Sequence, residues 1–263
     1  MPERTSYAEG TPSWVDLSSP DVGASTAFYG ELFGWESSGA EPVEETGGYE
    51  IFTLGGKRVA GVGPLQDPAQ PPAWATYIAV DDADETAAKA TEAGGHVAVE
   101  PMDVMDAGRM AILIDPTGAV VGIWQAGAHI GAELVNEPVS LGWNELMTRA
   151  PQDAKAFYSA VFGMTAAPWD GAGDREYDVW QVDGKMVGGL LAMDDENFPP
   201  EMPSNWAIYF VVPDADATAA KAGELGGATM VEPFDVPGVG RIAILADPHR
   251  AVFGVISAEP PEE

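Results

Sequence analysis

Asp16 and Glu145 each stand two residues beyond a tryptophan, in Trp14-Val15-Asp16-Leu17 and Trp143-Asn144-Glu145-Leu146. Side chains alternate along an extended strand, so each acid shares a face with its indole. A carboxylate among aromatic rings loses hydration, its pKa rises, and it becomes a candidate general acid or base. The same arrangement attracts an organic cation, through charge and through the ring face. A plainer reading stands beside this one. A Trp at a strand start more often fills the core, and an acid two residues on can be a solvated sheet residue. Arg109 and Arg241 each follow a glycine ahead of a strand. They either reach a ligand or pair with an acid such as Asp103 or Asp235, and on so acidic a chain the pair is favoured. His129 lies in a Gly-rich stretch, either at a cleft mouth or as a plain polar loop residue. Cysteine is absent, which excludes a thiol nucleophile, thiolate metal sites and disulfides. No nucleophile elbow and no phosphate-binding glycine loop occur, and Gly55-Gly56-Lys57 reads as a hairpin turn.

The elements that must hold these residues come twice. Trp14, Phe28-Tyr29 and Phe33-Gly34 return as Trp143, Phe157-Tyr158 and Phe162-Gly163, each 129 positions on. Trp74, Tyr77, Gly108-Arg109 and Asp115-Pro116 return as Trp206, Tyr209, Gly240-Arg241 and Asp247-Pro248, each 132 positions on. Such self-similarity marks duplicated units. We expect a domain over 11–127, a linker over 128–139 and a second domain over 140–258. Within each copy, alternation predicts a first strand around Val15 and Leu17. Asp21 is placed to cap a helix carrying Phe28, Tyr29, Leu32 and Phe33, which Gly34 ends; Pro151 opens the matching helix. Short strands follow at 49–54 and 177–182. Then come a strand at 74–80, an Ala-rich helix at 82–93 and a hairpin across Asp115-Pro116-Thr117-Gly118. The pattern is βαβββ–βαβββ, twice, an α+β fold of tandem paired βαβββ modules.

Trp14-Val15-x-Leu17, Ser25-x-x-Phe28-Tyr29, Leu32-Phe33-Gly34 and Asp115-Pro116-x-Gly118 resemble the vicinal oxygen chelate superfamily, the glyoxalase, bleomycin-resistance and extradiol dioxygenase group. The resemblance spans nearly the whole chain, once per domain. It implies sheets curled around a cleft, and metal ligands on the first and closing strands of each module. Mapped onto this sequence, those ligand positions fall at Trp14 and Trp143, Ala75 and Ala207, Gly122 and Gly254, and near Gly61 and Gly189. None of these side chains can ligate a divalent ion. The resemblance therefore implies clefts without the family's metal, and the small residues suggest extra room. Trp74, Thr76 and Ile78 should pack on helices, leaving Ala75 and Tyr77, Ala207 and Tyr209, and Gly122 and Trp124 to face the clefts. Trp14, Tyr77, Trp124, Trp143 and Tyr209 then form aromatic walls, with Asp16 or Glu145 as the polar anchor.

The chain has 263 residues, 46% of them hydrophobic, enough for a sizeable core. A net charge of −30 argues against nucleic acid and anionic membranes as partners. No apolar run approaches a membrane span, and the first residues lack the apolar stretch of a secretory signal, so a cytoplasmic location is expected. The expected function is metal-independent binding, or acid–base modification, of an aromatic or cationic small molecule, with no cofactor, by a monomer or weak dimer. The alternatives are a metal-free isomerase, lyase or ring-modifying enzyme with Asp16 or Glu145 as base, and an interaction or antigen-type protein whose clefts are vestigial.

Overall fold

The computed structural model describes residues 3–39, 46–169, 171 and 176–258. In β1 (Pro12–Ser19), Ser13, Val15, Leu17 and Ser19 are covered on one face, while Trp14, Asp16 and Ser18 take the other. Asp21 opens α1 (Val22–Phe33) by accepting the Ala24 N–H, 2.9 Å away. Gly34 ends the helix at φ 75°, a left-handed conformation that strains any residue with a Cβ. The chain continues through β2 (Glu36–Ser37), β3 (Glu50–Leu54) and β4 (Lys57–Pro64). A second module follows: β5 (Ala73–Ala79), α2 (Ala83–Glu92), β6 (His96–Val104), β7 (Gly108–Ile114) and β8 (Val120–Ala126).

The second half repeats this order. Its first module is β9 (Leu141–Thr148), α3 (Pro151–Phe162), β10 (Thr165–Pro168), β11 (Tyr177–Val182) and β12 (Lys185–Ala192). Its second is β13 (Asn205–Val211), α4 (Ala215–Glu224), β14 (Ala228–Val236), β15 (Gly240–Ala246) and β16 (Val252–Ser257). Each half forms one eight-stranded sheet, the first ordered β2-β3-β4-β1-β5-β8-β7-β6 and the second in the matching order. The tandem paired βαβββ modules expected from the repeat are therefore present.

The two modules of a half join where β1 and β5 run antiparallel, with Trp14 opposite Tyr77 and Asp16 opposite Ala75. On either side the pairing is parallel, setting Asp16 against Gly61 and Tyr77 against Gly122. The second sheet repeats this register with Trp143 opposite Tyr209, and Glu145 opposite both Ala207 and Gly189.

The cores do not divide as the repeat does. Phe28, Tyr29, Phe33 and Trp35 of the first half pack with Phe210, Ala219, Ala222 and Phe253 of the second. Phe157, Tyr158 and Phe162 pack in turn with Ile78, Ala83, Ala87, Ala90 and Leu113. The two halves thus meet through their helical faces, and the faces bearing Asp16 and Glu145 turn the other way. Each Phe-Tyr pair is tied to the Asp-Pro turn of the other half. Trp74 Nε1 donates to the Tyr29 hydroxyl (3.0 Å), which donates to Asp247 Oδ2 in the other half (3.3 Å). In the mirror arrangement Trp206 Nε1 donates to the Tyr158 hydroxyl (2.8 Å), whose ionisation burial opposes first and the charge of Asp115 second. Among the described residues no helix is long and apolar enough to cross a membrane.

Candidate functional site

On the face of β1 away from the helices, four side chains join in a hydrogen-bonded cluster. Trp14 Nε1 donates to the Tyr49 hydroxyl at 2.9 Å, and that hydroxyl donates to Asp16 Oδ2 at 3.2 Å. The Tyr77 hydroxyl is a second donor to Asp16. Tyr49 arrives from the start of β3, two strands away from β1, while Tyr77 is on the neighbouring β5. The second half builds the same cluster. Trp143 Nε1 donates to the Tyr177 hydroxyl at 2.9 Å, the Tyr209 hydroxyl donates to Glu145 Oε1 at 2.9 Å, and Tyr177 also bonds Glu145.

Asp16 keeps partial contact with solvent, whereas Tyr77 beside it is only 7% exposed. Loss of hydration pushes the Asp16 carboxyl up to about 6, against the pull of the Tyr77 and Tyr49 hydroxyls, which favour the charged form. Burial, and then the charge of Asp16, hold both phenols well above their usual range, so they stay protonated donors. Tyr177 is raised for the same reasons, burial first and Glu145 second.

The glycines of the cluster make room for these rings. A Cβ on Gly61 would overlap the Tyr49 hydroxyl, and one on Gly122 would overlap the Tyr77 ring. Gly189 stands in the same relation to the Tyr177 hydroxyl, and Gly254 to the Tyr209 ring. The extra room expected at the small residues is therefore filled, by tyrosines that enter from neighbouring strands. Gly122→Ala and Gly254→Ala should each destabilise the fold by about 1–3 kcal/mol in urea titrations, as overpacked positions do. An unchanged midpoint would show that the rings can step aside.

The remaining sequence candidates fall elsewhere. Arg109 lies opposite Gln125, in the alternation that turns its neighbour Met110 towards Trp124. It thus faces the helices, and its guanidinium binds Asp84 of α2 (2.7 Å) and Asp103 (2.9 Å). Arg241 is held in the same way by Asp216 of α4 and by Asp235. Neither arginine joins a cluster. Both arginines make the ion pairs expected of them, on the face of the sheet opposite the clusters. His129 is no solvated loop residue: it is 8% exposed, its ring 4.5 Å from that of Trp14 and 5.5 Å from that of Trp124. Trp124 donates its Nε1–H to the His129 carbonyl at 2.7 Å. The segment around His129 is pinned over this end of the first cluster, its backbone bonded to Ala107, Ser13 and Arg58. His129 leans on the cluster through Trp14, and no counterpart lies among the described residues of the second half. Burial lowers its pKa to about 4, so the ring is neutral.

Tyr49 and Tyr177 were missed as site residues, although Tyr49-Glu50 recurs as Tyr177-Asp178, a signal the repeat already carried. Trp169, whose ring lies 5.6 Å from Tyr177, has no such signal. The donor set does not suit a divalent ion. Among the described residues no three His, Asp or Glu side chains converge. Phenols held in their neutral form are poor ligands, since ligation needs the deprotonated group.

A family model described as the Glyoxalase/Bleomycin resistance protein/Dioxygenase superfamily matches residues 11–123 and 140–254. The chain is 47% identical, over 99% of both chains, to a protein of Mycobacterium tuberculosis named putative glyoxylase CFP32. It is 40% identical to the anthracycline biosynthesis protein DnrV of Streptomyces peucetius, over 96% of this chain and 94% of that one. Among solved structures, the Mn(II)-bound glyoxalase of Novosphingobium aromaticivorans shares the fold with a TM-score of 0.65 at 17% identity, covering 95% of this chain and 82% of that one. The 2,3-dioxygenase LapB of Pseudomonas sp. KL28 does so with a TM-score of 0.64 at 11% identity, covering 96% and 94%.

Proposed function

This chain belongs to the glyoxalase/bleomycin resistance protein/dioxygenase superfamily, and from that premise we propose that it binds a flat aromatic or cationic small molecule at its tyrosine-held carboxylates, without a metal ion. The observation that carries this reading is the pair of phenols aimed at Asp16, one of them seated where a side chain from Gly122 would otherwise stand. The partly exposed Tyr49, Trp143 and Tyr177 rings supply dispersion and cation–π attraction, about 0.5–2 kcal/mol per contact, whereas Trp14, Tyr77, Trp124 and Tyr209 are nearly covered. The carboxylate adds charge. One relative's name supports an aromatic ligand, being given for the biosynthesis of anthracyclines, which are flat polycyclic aromatics; the other is named as a glyoxylase. They point to detoxification or secondary metabolism. Acid–base modification of the ligand is the second reading, favoured by an Asp16 carboxyl that burial pushes up to about 6.

Calorimetric titration with two tricyclic probes of similar shape, cationic 10-methylacridinium and neutral acridone, tests the anchors. Asp16→Asn and Glu145→Gln keep the shape of each cluster and remove its charge. Affinity for the cation should fall roughly tenfold, as the loss of about 1.4 kcal/mol implies, while acridone should bind much as before. If both variants bind both probes like the wild type, the anchors are wrong and only the likeness of fold remains.

A further inference from the structure

We infer that the second half carries a cage for an alkylated ammonium group, formed by Trp143, Trp169 and Tyr177, and that the first half carries none. The inference deepens the binding reading above and rests on it. It names the charged part of the ligand and the half of the chain that takes it.

The three rings form a connected run beside Glu145. Trp143 Nε1 donates to the Tyr177 hydroxyl at 2.9 Å. The Trp169 N–H donates to the Tyr177 carbonyl at 3.0 Å, and the two rings lie 5.6 Å apart, inclined at 62°. Rings so inclined form a corner rather than a flat wall. Gly171 passes so near the Trp169 indole that a Cβ there would overlap it, so the indole is held in place. All three rings keep partial contact with solvent.

What these rings offer a ligand is their faces. The Trp143 N–H is used by Tyr177, and the Tyr177 hydroxyl by Trp143 and Glu145. A primary ammonium has three N–H groups to satisfy, and ring faces do not replace the acceptors it leaves in water. An alkylated ammonium has at most one, and the negative faces of the rings hold it directly. The net charge of −30 draws cations of every kind, and the rings then choose among them.

The first half lacks two of the three parts. Trp14, the counterpart of Trp143, is only 4% exposed, with the His129 ring 4.5 Å away and nearly perpendicular to it. The strap that carries His129 is tied down on both sides of the backbone. The Ala132 N–H donates to the Ser13 carbonyl (2.8 Å), and the Tyr7 hydroxyl donates to the Ala132 carbonyl (2.6 Å). Where the second half has Trp169, the sequence 129 positions earlier has Ala40. Of the three ring positions only Tyr49 is left.

The test uses the full chain with choline and its uncharged isostere 3,3-dimethyl-1-butanol, at about 0.15 M salt so that long-range attraction is screened. Proton NMR follows the methyl signal of each probe, which ring faces shift upfield. One saturable choline site per chain is expected, at least about tenfold tighter than binding of the alcohol. Trp169→Leu should weaken choline binding about tenfold or more while melting like the wild type. Trp169→Phe should keep most of the affinity, because a ring face and not the indole N–H holds the cation. Equal binding of the two probes by the wild type, or unchanged choline binding by Trp169→Leu, would overturn the cage. Two equivalent choline sites per chain would overturn the difference between the halves. Binding of 10-methylacridinium without choline would overturn the cage and leave the binding reading standing. Failure of both cations to bind would overturn both.

Discussion

Residues 1–139 made as a separate chain should yield no folded monomer. The first half would expose Phe28, Tyr29, Phe33 and Trp35, which in the intact chain pack against Phe210, Phe253 and the alanines of α4. Each large apolar side chain returned to water costs about 1.5–3 kcal/mol. Four of them approach or exceed the whole stability of an ordinary domain, about 5–15 kcal/mol. The Tyr29 hydroxyl would also lose Asp247. The expected result is a chain without a cooperative melt, or one that sediments as a dimer by using its own copy in place of the missing half. Mixing it with residues 140–263 should restore the circular dichroism and melt of the full chain. A monomeric half with a cooperative transition would show that the shared core is not needed.

Asp16→Asn should make the protein more stable at pH 7.5 and should change how its stability varies with acidity. The Asp16 carboxyl is raised from 3.8 to about 6 in the folded state. Between those values the folded chain holds a proton that the unfolded chain has released. Stability from this group is therefore full below about pH 4 and is lost as pH rises through 6. The loss above pH 6 is at most about 3 kcal/mol by linkage, and smaller for a carboxylate that keeps some water. Asparagine has no charge to desolvate and still offers an oxygen to Tyr49 or Tyr77. Urea titrations of both proteins from pH 3.5 to 8 isolate the effect, because the other acids cancel in the difference. The variant should match the wild type at low pH and exceed it by about 1–3 kcal/mol above pH 6. A difference that stays flat across this range would mean that the carboxylate is not desolvated. A gain in stability from removing an acid is the mark of a group kept for function rather than for folding.

Much of this architecture was legible in the amino-acid sequence, because the signals behind it are local. The Asp21 cap, the Gly34 stop and the alternation of β1 act over a few residues and gave the helix, its ends and the face shared by Trp14 and Asp16. The repeat gave two copies of everything, and the side of β5 that carries Tyr77 followed from the apolar side that carries Trp74. Alternation on β7 even held the answer for Arg109, since Met110 beside it faces Trp124. Other features were set only by segments distant in the chain. A glycine at 61 or 122 says that something comes close, but not that Tyr49 and Tyr77 are what comes. His129 reads as a loop residue until the strap around it is laid over Trp14. The repeat predicts two domains, yet each domain's helices bury their apolar stripes against the other's. Hydrophobic attraction is not directional, so a stripe such as Phe28–Phe33 specifies burial without naming its partner. Shape complementarity in the folded chain chose that partner, and it left the two carboxylates on the faces turned away.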